Sequence, residues 1–267
     1  LAACPFVTLA QAVYGRAPAG DAPLWREGGL ALLDALWHEA HGATAAARTA
    51  AAILIAGSVA GLVPLGCLLA TMIHRAGGSG PLGLPRALLR AGQAFPAFAI
   101  LLVLLGLGQG LAAAGAWAAQ SLGEAWTRGA LGEARAQQFG VGLALPFALS
   151  VAVLGVLHDL SRAAALRFRL PALPALVTAG RALRRHPAAV VWAWAWRSGA
   201  SLLPVAGGAA VAARLGGRGG TALVVLALAH QAAAASRVAL RASWLARALR
   251  AVGTADPRKV YFDPSDR

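Results

Sequence analysis

AGQAFPAFAILLVLLGLGQGLAAAGAWAAQSLG, residues 91–123, contains no Asp, Glu, Lys or Arg. A helix needs about 20 mainly apolar residues to cross the hydrocarbon of a bilayer, and this run exceeds that length. Residues 49–74, 136–158 and 219–236 are likewise free of those four residue types. Only helices and closed barrels satisfy every backbone polar group in lipid. A barrel strand alternates apolar and polar residues with period two, whereas these runs are continuously apolar. The fold class that follows is all-α, a polytopic membrane helical bundle.

Composition agrees. Hydrophobic residues make up 58% of the 267-residue chain and charged residues 13%, where a soluble domain carries roughly 25% charged. Mean hydropathy is +0.64. The net charge of +14 resembles that of nucleic-acid binders, but the basic residues gather in alternate loops, which the membrane reading explains without nucleic acid. Of the 24 basic residues 23 are Arg. With the heavy Ala and Gly usage, that bias points to a GC-rich bacterial genome and a bacterial inner membrane. Cys4 and Cys67 both lie in apolar segments, so neither a disulfide framework nor a thiolate metal site is expected. LAAC, residues 1–4, has the small-residue pattern of a lipidated cysteine, a reading that needs a signal region upstream.

Six spans are expected, near 1–14, 49–73, 92–118, 138–158, 188–213 and 219–236. The first begins at Leu1 and is too short to cross alone, so its start is expected upstream. Orientation follows from Lys and Arg. Segments 74–90, 159–187 and the tail after 236 hold 16 basic residues, against 7 in loops 15–48, 119–137 and 214–218. Those intervening loops also hold six of the ten acids. The first set is therefore expected in the cytoplasm together with the C-terminus. The domain reading is one transmembrane domain, 1–252, followed by a short polar cytoplasmic tail, 253–267.

RALLRAGQAFPAFAIL, residues 86–101, and TAGRALRRHPAAVVW, residues 178–192, share a pattern. Arg90-Ala91 aligns with Arg181-Ala182, and Pro96-Ala97 with Pro187-Ala188. Each pattern is a basic amphipathic segment, a proline suited to a first helical turn, and then an apolar span. The expected unit is an interfacial helix followed by a transmembrane hairpin, repeated along the chain. This Arg-Ala-(x4)-Pro-Ala layout resembles six-helix bacterial inner-membrane families, including proteins similar to the membrane domain attached to some glycerophosphodiester phosphodiesterases. The resemblance implies a six-helix membrane architecture and carries over no catalytic residue.

Few residues offer chemistry. In the loop 21–42, Asp34, His38 and His41 share one helical face. Imidazole and carboxylate suit zinc, but such rows are common on the solvated face of an amphipathic surface helix. A metal-dependent membrane enzyme would need that face. No cofactor is expected, and no nucleophile-and-base pair, phosphate loop or acid pair is present to make an enzyme. GSVAG at 57–61 and GLGQG at 106–110 match the GxxxG packing pattern.

Ionisable groups at membrane depth are functional candidates. Arg197 lies about 15 Å along its helix from Pro187, and His230 about 9 Å before Arg237. Arg197, His230 and Gln231 are therefore expected to share a layer and to bind an anionic lipid or solute. The competing reading is an anchor. Helical side chains tilt toward the N-terminus, here the cytoplasm, so Arg197 can snorkel inward or meet a helix carbonyl. Trp192, Trp194 and Trp196 suit an interfacial belt, with Trp194 a cation–π partner for Arg197. Arg181, Arg184 and Arg185, with the basic C-terminal series, are expected to contact anionic headgroups of the cytoplasmic leaflet. Two functions stay open: binding or passage of a small or lipidic solute, and a structural or accessory role packing with partner membrane proteins.

Overall fold

The computed structural model describes residues 40–78, 80–215 and 220–255. They form eight helices, α1 (Ala40–Ala60), α2 (Leu62–Ala76), α3 (Leu84–Leu131), α4 (Glu133–Phe168), α5 (Ala172–Arg185), α6 (Pro187–Ala200), α7 (Leu202–Leu215) and α8 (Thr221–Gly253), with no strand among the described residues. Contacts divide the chain into Leu1–Val63 and Pro64–Arg267. In the first unit the described structure is α1, where Thr49 donates to the Ala45 carbonyl one turn back, and the start of α2. The second unit holds everything that follows.

Among the described residues, four helical stretches are long and apolar enough to cross a membrane: Arg48–Ala76, which takes in most of α1 and all of α2, and Leu84–Leu131, Glu133–Phe168 and Thr221–Gly253. The expected spans 49–73, 92–118 and 138–158 fall inside the first three, and most of 219–236 inside the fourth. The expected span 188–213 is instead two 14-residue helices, α6 and α7, meeting at Ser201. Each covers only about 21 Å. The expected span 1–14 lies outside the described residues, as does the tail beyond Ala255.

α3 begins at Gly83 in extended backbone with Pro85 in its first turn, a position where the missing N–H removes no bond. It runs 48 residues to Gly132, about 72 Å, longer than the hydrocarbon is thick. Gly132 has φ 75 and is both the C-cap of α3 and the N-cap of α4. A side chain there would be strained, so glycine makes the tight reversal. The two helices then pack antiparallel as the largest pairing in the second unit. Gly108 faces Leu154, Gly115 faces Phe147 and Gly123 faces Gly140.

The backbones come closest at Gly140, where a Cβ would lie 2.6 Å from the Gln120 carbonyl oxygen. Neither GxxxG match does this work. Among the described residues, a Cβ on Gly57, Gly106 or Gly110 would meet nothing within 4 Å, and one on Gly61 only the Gly57 and Ser58 carbonyls of the preceding turn. Gly140→Ala is expected to destabilise the protein by about 1–3 kcal/mol, as overpacking does. Gly106→Ala is expected to be neutral or to stabilise by up to about 1 kcal/mol, by the backbone-entropy argument. Paired melting curves in detergent read the difference, and equal melting temperatures would contradict it.

Burial is inverted relative to a soluble bundle. The most apolar stretch of each long helix is only 0 to 17% buried, and Leu107, Leu111, Leu203 and Leu228 stand exposed. The packed core lies instead at the basic helix ends. It comprises Leu69 and Ala70 of α2, Ala91, Phe98 and Leu101 of α3, Leu160 and Ala163–Ala165 of α4, Ala175 and Ala179 of α5, and Trp244, Leu245 and Ala248 of α8. Alanine dominates because α5 lays its Ala face directly on α4, where small side chains permit close approach. Leu173 and Val177 are exposed on the other side of α5, with Arg184 on the same helical face.

Candidate functional site

Asp159 is the only acid between Glu133 and Asp256, and it organises the basic end. It sits near the end of α4 between the buried Val156 and Leu160, and its side chain is 4% exposed. α8 runs alongside α4 and presents Arg241 and Trp244, one turn apart. Arg241 donates to both carboxylate oxygens, through Nη1 to Oδ2 at 2.6 Å and through Nη2 to Oδ1. Trp244 Nε1 donates to Oδ2 at 2.7 Å. A bidentate arginine–carboxylate pair fixes geometry as well as charge. This pair therefore sets the register of α8 on α4, and it is the only ion pair among the described residues. His158 and Arg162 are also buried, and His158 Nε2 and Arg162 Nε have no hydrogen-bond partner among the described residues.

Arg241 and Trp244 form one wall of a cleft of about 560 Å³, within the range of small-molecule sites. Pro64, Leu65 and Leu68 of α2 line the apolar side. Arg197, Ser198 and Ser201 come from the α6–α7 break, and Arg237, Val238 and Leu240 from α8. Arg197 Nε donates to Ser243 Oγ at 2.8 Å, and Nη1 donates to the Ala193 carbonyl one turn back at 2.8 Å. Its guanidinium lies 4.5 Å from the Trp196 ring centroid. Arg237 makes no hydrogen bond or ion pair among the described residues. Three guanidinium groups thus meet a cleft with no carboxylate in its lining, since Asp159 lies behind Arg241. Arginine stays protonated in proteins, so the cleft suits an anion carried on an apolar body.

No family model, curated protein or solved structure matches the chain.

The site therefore rests on its own geometry, which differs in part from the sequence reading. Arg197 is in the cleft, but His230 and Gln231 are not. His230 precedes Ser243, the partner of Arg197, by 13 positions, about 20 Å along α8. Both His230 and Gln231 are exposed, and His230 Nδ1 lies 2.9 Å from the Leu226 carbonyl of its own helix. The expected common layer does not form because α6 stops at Ser201 and pairs with the basic part of α8, beyond its apolar part. The ring beside Arg197 is Trp196 rather than the expected Trp194, which turns toward Gly155 of α4. Trp192 and Trp196 are exposed, one turn apart on the outer face of α6.

On α5, Arg181 is half-buried while Arg184 and Arg185 are exposed, and Arg185 donates to the Thr254 carbonyl. Asp34 and His38 lie outside the described residues, as does the side chain of His41. Among the described residues no three His, Cys, Asp or Glu side chains gather in a metal-binding group. Asp159 is not among the residues expected at a site, and Arg237 and Arg241 are expected only as members of the basic C-terminal series at the headgroups. Their signal was present: a single acid in a long basic region requires a partner when buried.

Proposed function

We propose that the chain is a multi-pass protein of a bacterial inner membrane that binds an anionic small or lipidic solute in the cleft of Arg197, Arg237 and Arg241. The basic ends of α4 and α8 and the C-terminus face the cytoplasm, following the bias of arginine toward that side. The broken pair α6–α7 makes the fifth of six spans, and α5 rests at the interface with Leu173 and Val177 toward lipid. The observation that carries the binding reading is the cleft itself, three guanidinium groups and two serines against an apolar wall with no acid in the lining. Broken helices at membrane depth line solute sites in transporters. No enzymatic activity, cofactor or nucleic-acid partner is assigned.

The test uses purified protein in zwitterionic micelles titrated with phosphatidylglycerol, with phosphatidylcholine as the uncharged comparison. The double variant Arg197→Gln/Arg237→Gln is expected to lower phosphatidylglycerol affinity at least about tenfold, because charged hydrogen bonds are each worth about 1.5–3 kcal/mol. Unchanged affinity in a variant that melts like wild type would overturn the reading. The bare apolar stretches of the long helices favour a second reading, an accessory protein whose exposed helices pack against partner spans. That reading expects wild-type affinity from the double variant, and co-purification of another membrane protein in mild detergent.

A further inference from the structure

A second cavity, about 570 Å³, lies among α2, α3 and the α4–α5 turn and shares no lining residue with the cleft. Its cationic lining comes from Arg90 of α3 and from Arg167 and Arg169 at the end of α4, again with no carboxylate. Arg167 is already engaged, donating to the Leu249 carbonyl at 2.9 Å and lying against Gly253. Arg90 and Arg169 have no hydrogen-bond or ion-pair partner among the described residues.

Arg169 is unusual in its backbone. It caps α4 in the left-handed conformation, φ 55 and ψ 44, and is the only non-glycine residue with positive φ among the described residues. The Leu170 N–H donates to the Ala165 carbonyl at 3.0 Å and completes the turn. Glycine is the usual residue here because a Cβ crowds the backbone in this conformation. What arginine supplies that glycine does not is a guanidinium beside the cavity. Strained residues of this kind cluster at ligand clamps.

The chemistry is also graded along α3. Gln93, Ala97 and Ile100 follow Arg90 on one helical face and all line the cavity. Over about 15 Å the wall changes from guanidinium through amide to aliphatic, entering the uncharged run 91–123. An anion alone would use only the first part of that wall. We infer that this cavity holds an anionic phospholipid, with its phosphate accepting from Arg90 and Arg169 and an acyl chain lying along Ala97 and Ile100. The inference rests on the membrane reading but not on the α6–α8 cleft.

Arg169→Gly separates binding from folding, because it removes the charge and suits the backbone. The full chain in zwitterionic micelles is titrated with phosphatidylglycerol, phosphatidylcholine or inorganic phosphate. Bound lipid is counted by native mass spectrometry, and melting temperature is followed in parallel. Arg169→Gly and Arg90→Gln are each expected to weaken one phosphatidylglycerol site at least about tenfold, the loss of a charged hydrogen bond. Without lipid, Arg169→Gly melts at or above the wild-type temperature. Arg197→Gln/Arg237→Gln leaves this site intact, so failure of the cleft and failure of this cavity are read separately. Wild-type phosphatidylglycerol binding by both single variants overturns the site. Stabilisation by inorganic phosphate equal to that by phosphatidylglycerol overturns the lipid and leaves a free anion as ligand.

Discussion

Asp159→Ala is expected to destabilise the protein by about 3–5 kcal/mol, the range for removing one partner of a buried ion pair. The carboxylate serves several groups. It accepts from Trp244 Nε1, which is buried, and from both terminal nitrogens of Arg241. It also provides the nearest negative charge for the buried Arg162, one helical turn along α4. Alanine leaves the indole N–H unpaired and the Arg162 charge uncompensated. Arg241→Ala is expected to cost less, about 1–3 kcal/mol, because the Asp159 carboxylate it leaves keeps the Trp244 Nε1 donor, and loss of a side chain that is 44% exposed opens the carboxylate to water. Asp159→Asn should fall between the two, since the amide still offers an oxygen to Trp244. Equilibrium unfolding in mixed micelles, followed by helical circular dichroism, gives the order. If Asp159→Ala proves milder than Arg241→Ala, the carboxylate does not organise this end of the protein.

Trp244→Ala should be of similar size, about 3–5 kcal/mol, as for other large-to-small changes in a core. Trp244 is the largest fully buried side chain among the described residues, and it sits where α8 crosses α4. Trp244→Phe keeps most of the apolar contact but removes the donor to Asp159, so about 1–2 kcal/mol is expected. The two residues share one bond and should not behave independently. A cycle of Asp159→Asn, Trp244→Phe and the double variant is expected to show coupling of about 0.5–3 kcal/mol. Additive losses would mean that the hydrogen bond contributes nothing beyond packing.

Both predictions concern residues that periodicity leaves invisible. A run of 33 uncharged residues announces a helix, because each of its backbone groups must bond within the segment. It does not announce where that helix ends. Pro96 and Pro187 follow the same Arg-Ala-(x4) pattern, yet α3 continues through Pro96, whereas α6 starts afresh at Pro187 after His186 at φ −141. A proline breaks a helix unless packing holds it. Phe98 and Leu101 are buried just beyond Pro96, while Arg184, Arg185 and His186 before Pro187 stand in the open. Glycine behaves similarly. The close crossing uses Gly123 and Gly140, which belong to no GxxxG pattern, because closeness depends on two helices and the pattern describes only one.

The sequence by itself determined the class: helices long and apolar enough to fit a multi-pass membrane protein, with arginine crowded at alternate ends. Those properties are local, set by the transfer of each segment between water and hydrocarbon. Only the tertiary structure decided which polar groups meet. It set Arg197 opposite Ser243 rather than near His230, placed the lone acid Asp159 against Arg241 and Trp244, and left Arg90 and Arg169 facing a shared cavity. Sliding one helix by a single turn moves every such partner by about 5.4 Å, beyond hydrogen-bond reach, while leaving the hydropathy of both helices unchanged. Hydropathy is therefore insensitive to the register on which the sites depend.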